Sequence, residues 1–184
     1  MKWSHRLQIG TLSLLLELGV SSQKIITTGV SSRISSTTYH ILLLDYDLID
    51  DDRLKEELVW LQELFKIGDF IVFETNKYGR HALCLDVLDI KTVLKIVRSS
   101  NCDETFKFAP RINPKRSWVL RFDKKGNREA PRYLYTIKSP YEGRNRQSRG
   151  HAKYLRKYGL RVKLKQPYGP REVERQTYFT TEKK

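Results

Sequence analysis

The sequence predicts an α+β protein whose core is an antiparallel sheet with its helices on one face. Two observations carry that prediction. Bounded runs rich in β-formers recur at 39–47, 69–74, 80–87 and 117–124. Between them, two stretches at 54–65 and 90–97 repeat apolar residues at helical spacing. The order from Tyr39 to Lys124 is therefore β-α-β-β-α-β.

Taken in order, residues 3–19 are apolar-rich, and their leucines fit both alternation and helical spacing, so helix and strand stay equally open. Ser and Thr dominate from Ser21 to Thr38, which reads as an exposed connection or a short hairpin. In YHILLLDYDLIDDD, Tyr39 to Asp52, the short apolar run Ile41 to Leu44 suits a buried strand with an acidic end. Asp50, Asp51 and Asp52 suit a helix start, where carboxylates meet free amides and the positive end of the dipole. Leu54, Leu58, Leu61 and Phe65 continue that helix to a stop at Gly68. Asp69 to Glu74 and Arg80 to Val87 are strands joined by a turn at Asn76 to Gly79. Ile90, Val93, Leu94 and Val97 mark the second helix. A Pro-containing loop, Phe108 to Lys115, delivers the strand Ser117 to Lys124, and Arg132 to Lys138 reads as one more. The simplest closure is ferredoxin-like: a four-stranded antiparallel sheet, both helices on one face, first and third strands adjacent at the centre.

The chain of 184 residues suits one domain with an appended segment. We divide it into an N-terminal element and Ser/Thr-rich connection (1–38), a core sheet (39–139) and a basic C-terminal arm (140–184), whose last residues, after Pro170, are expected to order only on a ligand. A short helix is expected within that arm from Ser148 to Tyr158. Charge is unevenly placed. Residues 1–105 carry 12 Lys/Arg against 15 Asp/Glu, whereas residues 106–184 carry 23 against 6. So basic a block is the electrostatic footprint of a polyanion-binding surface, most often for nucleic acid. Trp118, Tyr133, Tyr135, Tyr141, Tyr154, Tyr158 and Tyr168 lie among those charges, as base stacking would require. An anionic membrane surface, or a plain solvated face, is the alternative.

Cys84 and Cys102 are the two cysteines, neither at zinc-finger spacing, so no zinc module is encoded. The N-terminus has the outline of a signal peptide, yet Glu17 interrupts the apolar stretch and no small-residue cleavage site follows. No uncharged apolar run reaches transmembrane length. A cytoplasmic protein with no membrane partner is the expectation.

The acidic end of the first strand is the candidate site. Its period of two sets Asp45 and Asp47 on one face, and two like charges so close call for a cation. In the expected topology that end lies beside the start of the third strand, which carries His81. The alternatives are a solvated strand end for the carboxylates and a turn histidine for His81.

The Asp-x-Asp of Asp45 and Asp47, the Gly-x-His of Gly79, Arg80 and His81 preceded by Thr75, and the later hydrophobic-Asp of Phe122 and Asp123 together resemble the three signature motifs of the archaeo-eukaryotic primase superfamily. The resemblance spans about residues 39–125. It implies an RRM-like sheet carrying the active site, with a smaller N-terminal α/β element that residues 1–38 supply only in part. It further implies metal-dependent nucleotidyl transfer: synthesis of primers on single-stranded DNA or RNA from nucleoside triphosphates, ribo- or deoxyribo-, with replication proteins as partners. Mg²⁺ or Mn²⁺ on Asp45, Asp47 and Asp123 would activate the 3′-hydroxyl and steady the leaving pyrophosphate. His81 would bind a phosphate of the incoming nucleotide, with Gly79 and Arg80 beside it.

At the third motif, either Asp123 is a ligand or Arg121 offers a guanidinium to the triphosphate. Lys115, Arg116, Arg144, Arg146, Arg149, Lys153, Arg156 and Lys157 are the candidate nucleic-acid contacts. The chain departs from the family in its short length and its missing zinc cysteines, which suits a minimal viral or plasmid enzyme. Two other readings follow from the same residues. One is a nucleic-acid-binding module without catalysis; the other is a metal-dependent nuclease. A rolling-circle endonuclease is disfavoured, because no His-hydrophobic-His pair occurs.

Overall fold

The computed structural model of the chain describes residues 2–9, 12–19, 25–34, 37–112, 117–124, 129–169 and 178–183. These residues form a mixed α+β arrangement of antiparallel sheets and four α-helices. The first half runs β1 (Lys2–Ile9), β2 (Leu12–Gly19), β3 (Ile25–Ser31), β4 (Tyr39–Tyr46), α1 (Asp51–Phe65), β5 (Phe70–Glu74), β6 (Arg80–Asp89) and α2 (Ile90–Ser99). The second runs α3 (Glu104–Ile112), β7 (Val119–Arg121), β8 (Arg132–Ile137), β9 (Gln147–Ser148), α4 (Arg149–Leu155), β10 (Pro167–Tyr168) and β11 (Tyr178–Lys183). A 3-10 turn at Arg156–Tyr158 extends α4.

The central sheet has the order β4-β6-β5-β8, every neighbour antiparallel. β9 pairs with β6 at Asp86 and Gln147, beyond the residues that β5 occupies, and β10 adds to β9 in parallel. A second sheet has the order β11-β3-β7, and β1 with β2 makes an antiparallel pair of its own.

Ile41, Leu42, Leu43 and Leu44 are all fully buried, so β4 is covered on both faces. One cover is helical. α1 buries Leu54, Leu58 and Leu61, and α2 buries Val93, Ile96 and Val97, each at helical spacing. Each such leucine contributes about 2 kcal/mol on leaving water. Asp50 caps α1 by accepting from the amides of Asp52 and Arg53 at 3.2 and 3.0 Å, and Asp89 caps α2 from Lys91 and Thr92 at 2.9 and 3.0 Å. The other cover is aromatic. Phe122 packs on Phe73 at 4.9 Å between centroids and on Tyr158 at 5.1 Å, with Tyr154 beside them.

Several stretches differ from the sequence-based expectation, the first being the loop expected from Phe108 to Lys115, which begins inside α3. The strand expected at Ser117 to Lys124 is cut to the three residues of β7, which pairs with β3 rather than β4. Chain from nearer by has taken the β4 edge: Ile41 N donates to Ser32 O at 2.7 Å, and Asp103 N to Asp45 O at 2.7 Å. The Ser/Thr-rich connection is not exposed at its end, where Val30, Ser31 and Ser32 are buried against that edge. Residues 140–169, expected as an arm, are folded onto the sheet, because Ala152, Tyr154 and Leu155 give α4 a buried face. The helix stop also shifts: α1 ends at Lys66, in the left-handed region with φ 53°, two residues before Gly68.

Candidate functional site

Asp45 and His81 meet across two adjacent strands, the edge strand β4 and its neighbour β6. β4 and β6 pair antiparallel with Asp45 directly opposite His81, so the two side chains share one face. Asp45 Oδ1 and His81 Nε2 are 3.3 Å apart. Asp45 keeps a third of its side chain exposed, whereas His81 is 5% exposed. Phe122 lies beneath the imidazole, 6.2 Å between centroids. His81 Nδ1 is buried and has no hydrogen-bond partner among the described residues. The imidazole thus has one nitrogen in use, and a carboxylate holds it. An anion reaches that nitrogen only when the charge of Asp45 is offset.

The neighbours expected to join this pair are placed differently. Arg80 points to the opposite face, as alternation along a strand requires. Its guanidinium donates to Asp51 Oδ1 at 2.9 Å and to the carbonyls of Asn76 and Gly79 at 3.2 and 2.9 Å. The Arg80 hydrogen bond holds the Asp51 carboxyl below the usual carboxylate range. Arg80 is therefore a buried tie between β6 and α1 and does not stand beside His81. Gly79 closes the hairpin: its amide donates to Asn76 Oδ1 at 2.8 Å, and a Cβ there would run into Thr75 Oγ1 and Asn76 Nδ2.

The three carboxylates expected to share an ion have three surroundings. Asp45 faces His81. Asp47 is exposed just past β4 and lines a hollow of about 680 Å³ with Arg53, Glu56, Glu57 and Trp60 of α1. Asp123 accepts from the Tyr158 hydroxyl at 3.4 Å, and its carbonyl, like that of Glu129, accepts from Arg121. Arg121 accordingly ties the backbone at Asp123 to that at Glu129. Among the described residues no group of three His, Cys, Asp or Glu side chains stands ready to hold a metal. Mg²⁺ is commonly held by one or two carboxylates together with substrate phosphates. Asp45 and Asp47 are two carboxylates that stand two residues apart.

Of the expected nucleic-acid contacts, Lys115 and Arg116 lie outside the described residues. Arg144, Arg146, Lys153, Arg156 and Lys157 are exposed, and Arg149 is half-buried. Arg146 sits over the Tyr168 ring and Lys157 over Tyr154. Sequence reasoning missed Arg161, Lys163 and Lys165. They are exposed on an extended stretch whose alternate residues Leu160, Val162 and Leu164 are half-buried. The signal was there in the strict alternation LRVKLK, hidden because the stretch stands against a Pro- and Gly-rich end.

Two buried histidines serve the fold. His40 Nδ1 is 3.0 Å from Ser32 Oγ, and His151 bridges Ser148 Oγ at 2.7 Å and Ser31 O at 2.9 Å. Burial lowers both imidazoles to about 4. Asp86, which accepts from Gly68 N and Asn145 Nδ2 at 2.8 Å each, is pushed up by burial. No helix among the described residues is long and apolar enough to cross a membrane. No family model, no curated protein and no solved structure matches this chain.

Proposed function

We propose that the chain is a primase-like nucleotidyl transferase, extending primers on a single-stranded template from nucleoside triphosphates. The observation that carries this reading is the register of Asp45 against His81 on the adjacent strands β4 and β6. The β4-β6-β5 order with α1 and α2 together on one face supports an RRM-like, ferredoxin-like ancestry for that part of the sheet. Phosphoryl transfer asks the protein for positioning and charge neutralisation more than for covalent chemistry. Asp45 and Asp47 would hold Mg²⁺ or Mn²⁺ brought in with the triphosphate, and the ion supplies neutralisation of the phosphate charge. His81 Nε2, 3.3 Å from Asp45 Oδ1, would donate to a phosphate oxygen of that nucleotide. Phe122 and the buried Nδ1 side keep the ring fixed in that orientation.

A second reading is favoured by a specific observation. The separate surroundings of Asp45, Asp47 and Asp123 suit a nucleic-acid-binding protein that has the sheet without the chemistry. Incorporation of labelled nucleoside triphosphates on single-stranded DNA, with Mg²⁺ or Mn²⁺, separates the two. Nucleotidyl transfer requires products from the wild type that vanish in Asp45→Asn. No product from either protein, with template binding intact in both, moves the assignment to the binding module.

A further inference from the structure

We propose that single-stranded nucleic acid runs along residues 160–165, with bases in the groove between that segment and the β5–β8 edge of the sheet and phosphates on Arg161 and Lys163. This rests on the preceding reading only in taking the substrate to be a single-stranded polyanion.

The segment is a fixed comb. Leu160 N donates to Leu155 O at 3.2 Å, and at the far end Lys165 N donates to Gln147 Oε1 at 2.8 Å while Gln147 N donates to Gln166 O at 2.7 Å. Burial alternates along it, with Leu160, Val162 and Leu164 half-buried and Arg161, Lys163 and Lys165 exposed, so the three cations share the solvent side. The carboxylates in the groove are already neutralised: Glu142 pairs with Lys165 at 2.9 Å and Asp69 with Lys138 at 2.7 Å. Among the described residues no carboxylate pairs with Arg161 or Lys163. The rim is left positive.

The groove beneath has a volume of about 500 Å³, within the range of small-molecule sites. Its floor is apolar, with Ile71 and Leu85 nearly buried, and its wall is the Tyr133 ring, 39% exposed. The Tyr133 hydroxyl and Thr136 Oγ1, 3.2 Å apart, offer polar contacts at the edge. An apolar floor, an exposed ring and a cationic rim suit a base and its phosphates. Stacking on the Tyr133 ring needs an unstacked, unpaired base, which sets single strands apart from duplex.

The groove also lies on the face of His81. Tyr133 touches Phe73 at 6.1 Å, Phe73 touches Phe122 at 4.9 Å, and Phe122 lies 6.2 Å from His81, all between centroids. A strand held in the groove is thereby presented to the Asp45–His81 side of the sheet and not to the helices.

The test is fluorescence anisotropy of a labelled oligothymidylate of about 16 nucleotides, with salt varied. In Arg161→Gln/Lys163→Gln we expect about a tenfold loss of affinity and a log–log salt slope shallower by about 1.4, the value for two single-strand phosphate contacts. Tyr133→Leu should weaken binding about fivefold or more with the slope unchanged. Lys91→Gln/Lys95→Gln, two exposed cations on α2, should change neither. Equal losses from both cation pairs, an unaffected Tyr133→Leu, or competition by duplex as strong as by single strand would each overturn the proposal. Asp45→Asn should bind the oligonucleotide like wild type, so a failure of nucleotidyl transfer leaves this result readable on its own.

Discussion

Arg80 and His81 are consecutive residues on β6, yet one belongs to the helix-covered face of the sheet and the other to the opposite face. On the helix side the polar groups around Arg80 are committed. Arg80 is bound to Asp51 and two carbonyls, Tyr46 donates to Glu57 at 2.9 Å, and Glu57 also accepts from Asn101. Burial pushes the Tyr135 hydroxyl, which donates to Asp51, up to about 12. On the other side, among the described residues, His81 has a buried nitrogen without a partner, Asp45 keeps a third of its side chain exposed, and a groove lies under Arg161 and Lys163, which pair with no carboxylate. The difference teaches that charge and burial alone do not mark a working residue. Saturation does: a group with all its bonds made holds the fold, and a group with bonds left over is free to hold something else.

Acid should separate the faces most strongly. His40 holds Ser32 and His151 holds Ser31, and burial lowers both imidazoles to about 4 in the folded protein against 6.5 when free. Between those values the unfolded chain binds more protons than the folded one, so stability falls as pH falls through the window. Going from about pH 7 to about pH 5 should remove about 2 kcal/mol through His151 alone, with His40 adding to it. Asp51, held below the usual carboxylate range by Arg80, stays ionised there, so the helix side is untouched. Urea denaturation at the two pH values measures the sum, and equal stability at both would refute this account of the cover.

Substitution of the two neighbours gives the smaller contrast. Arg80→Met strips Asp51 and two carbonyls of their donor and should cost about 2 kcal/mol, less than for a sealed pair because Asp51 is partly exposed. His81→Gln should cost under about 1 kcal/mol, since the imidazole satisfies little. Denaturation of both variants reads the difference, and a His81 variant as damaged as the Arg80 variant would erase the distinction between the faces.

Much of this arrangement was legible in the sequence. β4, α1, β5, β6 and α2 stand where periodicity placed them, because each combines a clear period with a cap or turn of its own, such as Asp50, Asp89 and the Asn76–Gly79 turn. The meeting of Asp45 and His81 followed from strand order alone. Other features depended on distant partners. Ser31 and Ser32 look like linker residues, yet Ser32 N donates to Trp118 O at 2.8 Å and Ser32 Oγ accepts from Trp118 N at 3.1 Å, a pairing 86 residues apart. The edge of β4 went to that segment, which displaced the expected fourth strand. The separation of Arg80 from His81 needed no structure, because adjacent residues of any strand point to opposite faces.

The most direct test of the central claim is NMR of the histidine rings during titration with a nucleoside triphosphate and Mg²⁺. His40 and His151 are buried in structural bonds and should not respond, while the His81 signals should shift and then saturate, and should stay still when Asp45 is replaced by Asn. A titration in which His81 never moves in the wild type, or moves no more than the two buried rings, would contradict a nucleotide site on this face.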